Sequence, residues 1–213
     1  MDIRLIIFDL DGTLLDTSPG IFATARYTME RLGLPSDIPE DQMRKFIGPP
    51  IMDCFRIVYN LREELIPDAV DIYKKRYFEQ GQYQAIIYDG MPEVLECLSS
   101  RGYLLAVGTL KNESTARHMM EHFGLSGFFS TIRGALDIIG CERTKAEILR
   151  LVMQDVGMKP DETVLVGDTL HDHNGAIEAN VGFVPVIYGF GFNAHSDVSP
   201  KISQPRELLS LFH

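Results

Sequence analysis

The sequence predicts an α/β fold, a Rossmann-like parallel sheet wrapped by helices and interrupted early by a small all-helical insert. Three observations predict it. Leu5–Phe8 is an unbroken apolar run, the pattern of a strand buried on both faces. From Tyr88 onward, short apolar runs alternate with amphipathic helical stretches, as in a parallel sheet with helical crossovers. Between these regions, from about Ser18 to Gln84, the pattern is helical throughout. The expected division is a core of 1–17 and 85–213 with a helical insert of 18–84. A chain of 213 residues, 45% hydrophobic, suffices for one sizeable core, or for one core plus a smaller second unit.

The elements follow in order. The first strand ends at Asp9, and Asp11 lies two residues on, so in extended geometry both carboxylates point the same way. Gly12 then permits a sharp turn. Ser18-Pro19 predicts a helix start, with Ser18 as N-cap and Pro19 in the first turn, running to about Leu32 before Gly33. Further helices are expected near 40–46, 50–60 and 67–80, where Tyr73, Tyr77 and Phe78 fall at helical spacing and are assigned to a core. Beyond Tyr88 come a helix over Pro92–Ser100, a buried strand over Tyr103–Gly108 and a helix over Ser114–Phe123. A short strand over Ser130–Arg133 precedes an amphipathic helix over Thr144–Val156, with Ile148, Val152 and Val156 on one stripe. Strands over Thr163–Val166 and Val184–Ile187 and a short helix over Pro205–Leu211 complete the chain.

Composition narrows the function. The formal net charge is −10 and no Lys/Arg cluster stands out, which argues against a nucleic-acid polymer as partner. Cys54, Cys97 and Cys141 are few, odd in number and far apart, so reduced thiols are expected in place of a disulfide frame or zinc site. The chain opens directly on strand-like sequence and has no apolar stretch long enough to span a bilayer, so a cytoplasmic protein without a membrane partner is expected.

Asp9 and Asp11 stand at the carboxyl end of a buried strand, where open α/β sheets place their ligands. Two carboxylates this close need a cation, a shared proton or separate roles. A hard divalent cation such as Mg²⁺ suits oxygen ligands and phosphate substrates. Thr109 ends the run LLAVGT, where its hydroxyl either donates to a phosphate or forms a turn. Lys111 either adds charge there or is a surface lysine. Lys145 starts a helix, where a cation opposes the dipole, which supports a functional reason for it, and Arg143 is the competing candidate. The run VLVGDTLHD ends in Asp168 and Asp172. His171 and His173 raise a zinc reading that the carboxylate setting disfavours.

The phrase DLDGT after an apolar strand, with a helical insert behind it, resembles the haloacid dehalogenase (HAD) superfamily, in its phosphatase branch with a helical C1 cap. The resemblance implies that Asp9 attacks phosphorus and that Asp11 is the general acid/base, and the presence of Asp11 points to phosphoryl and away from halide chemistry. It further implies that Thr109 and Lys145 bind the phosphate, the phrase TKAEI favouring Lys145 over Arg143. Asp168 would complete a Mg²⁺ site with Asp9 and the backbone carbonyl of Asp11, with Asp172 acting behind it or through water. FIGPP, 46–50, resembles the cap loop that faces the site. Gly48 there, with Arg44 and Lys45 beside it, is a candidate substrate contact, a solvated helix face being the other reading for the two cations. The phrases DTSPGI, GPP and YDGM resemble phosphoglycolate phosphatase-like proteins and equally the 5′-nucleotidase-like subgroup.

The implied activity is Mg²⁺-dependent hydrolysis of a small phosphorylated metabolite through an aspartyl phosphate, phosphoglycolate phosphatase-like, by a monomer or homodimer. A 5′-nucleotidase and then a β-phosphoglucomutase-like mutase are the enzymatic alternatives. Phosphonoacetaldehyde hydrolase is disfavoured because Pro49 to Cys54 contains no lysine. A receiver-like phospho-switch and an inactive HAD scaffold are the non-enzymatic ones. The helical insert and the late GDTLHD argue against the switch, and the full set of expected side chains argues against the scaffold. The GFG at 189–191 reads as an ordinary loop near the site, since it lacks the strand–helix context of a nucleotide fingerprint.

Overall fold

A computed structural model describes residues 2–49, 51–136 and 143–213. In chain order the elements are β1 (Leu5–Phe8), β2 (Leu15–Asp16), α1 (Ser18–Arg31), α2 (Glu40–Met43), α3 (Ile51–Tyr59), α4 (Ile66–Glu79), β3 (Ile86–Ile87), α5 (Met91–Ser100), β4 (Leu104–Asn112), α6 (Glu113–His122), β5 (Thr131–Ala135), α7 (Lys145–Val156), β6 (Thr163–Gly167), α8 (Leu170–Ala179) and β7 (Gly182–Pro185). A 3₁₀ helix over Pro205–Ser210 stands where the closing helix is expected.

Contacts divide the chain into two compact units, one of residues up to Asp16 together with Ile87–His213, the other of Thr17–Ile86. The larger unit carries a five-stranded sheet in the order β5-β4-β1-β6-β7, parallel at every pairing. β1 is central because it is apolar at every position and can be covered on both faces. The chain adds β4 and β5 on one side of β1 and then β6 and β7 on the other, which makes the carboxyl end of β1 a topological switch point. One face of the sheet is closed by α7 and α8, whose Leu149, Val152 and Ala176 pack on Ile7, Ala106 and Leu165.

The smaller unit has its own core, in which Phe46, Phe55, Tyr59 and Tyr73 meet edge to face, tilted or stacked at centroid distances of 5.3–6.4 Å. Tyr73 and Tyr77 are buried as expected, whereas Phe78 is half exposed, one position round the helix from the buried stripe. Four other local expectations are corrected. Thr17, not Ser18, is the N-cap of α1, and its hydroxyl makes no capping bond. The strand expected to stop at Gly108 continues to Asn112, because β5 keeps pairing with it across an irregular register between Gly108 and Asn112. The last strand begins two residues earlier than expected, since Gly182 to Pro185 pair with Val164 to Gly167. The stretch 40–46 is a short α-helix followed by a 3₁₀ turn over Arg44–Phe46. Cys54 and Cys97 are free thiols, while Cys141 lies outside the described residues.

Candidate active site

The ends of three adjacent strands bring the site together. Phe8, in register with Val107 of β4 and Val166 of β6, delivers Asp9 between their carboxyl ends. Asp9 Nα donates to the Val166 carbonyl at 2.9 Å, holding the residue in line with the sheet beyond the end of β1. The chain then turns tightly, with the amides of Leu14 and Leu15 donating to the Leu10 carbonyl at 3.0 and 3.1 Å. Gly12 sits in this turn at φ 80°, and a Cβ there would lie 2.3 Å from Asp168 Oδ2. The glycine of DLDGT is thus required twice, by its backbone conformation and by the approach of Asp168.

Lys145, the first residue of α7, is buried and bridges two acids: its Nζ lies 2.6 Å from Asp9 Oδ1 and 2.7 Å from Asp172 Oδ1. These pairs account for a cation at a helix start. The helix itself is capped by Thr144 and Glu147, whose side chains exchange bonds with each other's amides. Asp172 is fixed from both ends, because its Oδ2 accepts from the Thr169 amide and hydroxyl at 3.0 and 2.6 Å in the capping box of α8. Asp168 Oδ2 accepts from the amides of Phe190 and Gly191 at 2.7 and 3.3 Å. The GFG segment is therefore part of the site's framework. A Cβ on Gly189 would lie 2.3 Å from the Gly12 carbonyl oxygen and 2.4 Å from Asp168 Oδ2.

Asp9, Asp168 and Asp172 form a buried group whose carboxylate oxygens lie within 4.8 Å of one another. Burial, followed by repulsion from Asp172 and Asp11, outweighs the pull of Lys145 and pushes the Asp9 carboxyl up to about 7. Asp168 is pushed up to about 8, by burial first and then by Asp9 and Asp172. Burial on its own would lower Lys145, but Asp172 and Asp9 more than offset it and the ammonium is held charged. Among the described residues one cation faces three acids, and the buried Asp168 Oδ1 has no hydrogen-bond partner. An orphaned carboxylate oxygen in an all-oxygen, cation-poor cluster fits a hard divalent ion. Neither His171 nor His173 joins the cluster, and the His173 ring instead lies 5.2 Å from that of Phe183.

Asp11 is partnered differently. Lys111 Nζ donates to both of its oxygens, at 3.0 and 3.1 Å. Thr109 is buried on β4, and its Oγ1 accepts from the Lys111 amide at 3.2 Å, which leaves the hydroxyl proton available to an incoming oxygen. Arg143 points elsewhere, donating to Glu113 Oε2 at 3.2 Å and to the Gly134 carbonyl at 3.1 Å. Glu113 also takes Arg117 and Arg133, so Arg143 belongs to a separate network. Arg44, Lys45 and Gly48 lie in the smaller unit. Arg44 pairs with Glu40 at 3.5 Å, Lys45 is exposed, and Gly48 has φ 107°. Phe46 of FIGPP is core, and Pro50 lies outside the described residues.

Sequence reasoning left Lys111 undecided and missed the amides of Phe190 and Gly191. The usable signal for the amides was two glycines one residue apart just after the last strand, a spacing that lets backbone approach a ligand or an acid closely.

Acids and lysines gathered at the carboxyl ends of a parallel sheet define an α/β enzyme built to handle anionic, oxygen-rich groups. The family is identified by comparison with known proteins. Residues 6–186 match the haloacid dehalogenase-like hydrolase family. A 5′-nucleotidase of Pseudomonas aeruginosa is 36% identical over 187 residues, which is 87% of this chain and 83% of that protein. A phosphoglycolate phosphatase of Aquifex aeolicus is 29% identical over 209 residues, 98% and 96% of the two chains. A haloacid dehalogenase-like hydrolase from Streptococcus pneumoniae superposes with a TM-score of 0.90 at 32% identity, covering 100% of this chain and 99% of that one. The chain belongs to the haloacid dehalogenase-like hydrolase family, among its phosphatases.

Proposed function

We propose that the protein is a Mg²⁺-dependent phosphomonoesterase that acts on a small phosphorylated metabolite through an aspartyl phosphate on Asp9. The observation that carries the reading is the charge balance of the buried floor, where Asp9, Asp168 and Asp172 face the single ammonium of Lys145. Asp9 and Asp168, with the backbone carbonyl of Asp11, would hold Mg²⁺, which supplies charge neutralisation at the phosphoryl oxygens when bound.

The residues of the chain do the rest. The Asp9 carboxylate forms a bond to phosphorus as the bond to the leaving oxygen breaks, and Asp11 gives that oxygen its proton. Asp11 then takes a proton from water, whose oxygen attacks the phosphoaspartate, releasing phosphate and restoring Asp9. Thr109 and Lys145 hold the phosphoryl oxygens by hydrogen bond and charge. The helical unit serves as a cap, with Arg44, Lys45 and Gly48 as its candidate contacts to the remainder of the substrate.

The substrate class follows the phosphoglycolate phosphatase-like phrases of the sequence, supported by the relative of that name. A second reading, a nucleoside 5′-monophosphate, is favoured by the 5′-nucleotidase, which has the higher identity of the two named relatives. Phosphate release from 2-phosphoglycolate, nucleoside monophosphates and sugar phosphates is the test, run with Mg²⁺, with chelator, and with Asp9→Asn. Mg²⁺-dependent release lost in the variant is expected, and the preferred compound decides between the two readings. Release that persists in chelator or in Asp9→Asn would contradict the mechanism.

A further inference from the structure

The ion pair between Lys111 and Asp11 joins residues a hundred positions apart, from β4 and from the turn after β1. The two Nζ–Oδ distances differ by only a tenth of an ångström, so one ammonium sits symmetrically between both carboxylate oxygens. Both groups are shielded without being sealed, at 10% and 21% side-chain exposure, a setting where a charge pair is weakened less by solvent than at an open surface. Lys111 is itself tied down, its amide donating to Thr109 Oγ1. The strand that presents the Thr109 hydroxyl therefore also fixes the plane of the Asp11 carboxylate.

We infer that Lys111 is a positioning residue that aims Asp11 at the leaving-group oxygen. The inference rests on the general acid/base role proposed above for Asp11. An aspartate side chain turns about two torsions, and a carboxylate free to turn delivers its proton along the wrong line for much of the time. An ammonium gripping both oxygens removes that freedom, and the irregular stretch of β4 between Gly108 and Asn112 is what brings Lys111 into reach. The competing role, direct contact of Lys111 with the substrate phosphate, predicts a different kinetic pattern.

The test compares two esters in Lys111→Met. A simple alkyl phosphate needs its leaving oxygen protonated, whereas p-nitrophenyl phosphate releases a stable anion and does not. With Lys111 positioning Asp11, the single-turnover rate of leaving-group release, which excludes the later hydrolysis of the phosphoaspartate, falls about 10²-fold on the alkyl ester, the order of loss that a misplacement of 1 Å brings, and far less on the aryl ester. KM changes little, and Lys111→Arg recovers part of the loss. The Lys111→Met/Asp11→Asn double variant is no slower than Asp11→Asn alone, since both changes remove one function. Equal losses on both esters, a loss confined to KM, or additive losses in the double variant would each overturn the inference while leaving the phosphatase reading intact. A readout independent of turnover is the crystal structure of Lys111→Met: Asp11 is expected to leave the rotamer it holds in the parent protein, and an unmoved Asp11 refutes the positioning role whatever the activity.

Discussion

Asp9 and Asp11 belong to one five-residue phrase, yet they live in two electrostatic settings. Asp9 lies on a buried floor with Asp168 and Asp172, where Lys145 bridges Asp9 and Asp172. Asp11 stands at a partly open rim, where Lys111 holds both of its oxygens. Among the described residues the floor sets three acids around one ammonium and two carboxyls are pushed far above their ordinary range, while at the rim Asp11 is paired with Lys111. A surplus of buried carboxylate is a place for a cation. A semi-exposed pair in which both carboxylate oxygens are held suits the acid role proposed for Asp11. Spacing by two residues puts both side chains on one side of the chain, and it is the flanking strands that then make them different.

The largest effect expected on this contrast is Asp9→Asn, which leaves the fold intact and removes turnover. Residual hydrolysis near the parent rate, measured by phosphate release, would erase the distinction between floor and rim. Asp11→Asn comes next, with a loss of turnover of about 10²–10⁴-fold, the usual worth of general acid/base catalysis, and with the single-turnover release of an alkyl leaving group slowed more than that of an aryl one. Lys145→Met attacks the floor through stability: it strands Asp9 and Asp172 without their cation, and breaking a buried pair in this way costs about 3–5 kcal/mol. Urea unfolding reads this directly, and an unchanged midpoint would mean the floor relaxes without its lysine.

Two smaller effects sharpen the comparison. Asp9 and Asp168 bind protons more tightly in the folded than in the unfolded state. Without metal, their contribution to stability is present at low pH and is lost as pH rises through about 7 to 8. Mg²⁺ then has more to offset at high pH, so its effect on Tm is expected to be larger at pH 8 than at pH 6. An equal shift at both pH values would argue against ion binding at these carboxylates. Asp168→Asn removes one of the surplus acids. The metal-free variant is expected to be at least as stable as the parent at pH 8 and to lose the Mg²⁺-induced rise in Tm, both visible in a thermal melt.

Much of the larger unit was legible because its signals are local and redundant. Leu5–Phe8 and Thr163–Gly167 are apolar at almost every position, and each is followed at once by an acid. The helices of the sheet layer carry their stripe in the sequence, as Ile148, Leu149 and Val152 do. What was not legible depends on partners distant in the chain. GTLKN reads as a loop because it is polar, and only its pairing with β5 keeps it a strand. Lys111 was indistinguishable from a surface lysine until that strand carried it to Asp11. The backbone amides of Phe190 and Gly191 have no side-chain chemistry of their own, so the spacing of Gly189 and Gly191 was the one trace of the anchoring of Asp168. Arg143 and Lys145 look alike in sequence, and their destinations differ because Glu113 takes the first while Asp9 and Asp172 take the second.

The central place of β1 bears on how the chain is made. Synthesis runs from the amino end, so the strand that leads into Asp9 emerges well before both of its sheet neighbours, β4 and β6. Until Thr163–Gly167 has left the ribosome, β1 has an open, wholly apolar edge of the sort that pairs with other chains. The floor acids assemble later still, once Asp168 meets the amides of Phe190 and Gly191. The buried acidic group is thus completed only after Gly191 has emerged, and chains arrested before that point expose a sticky strand beside an unfinished site.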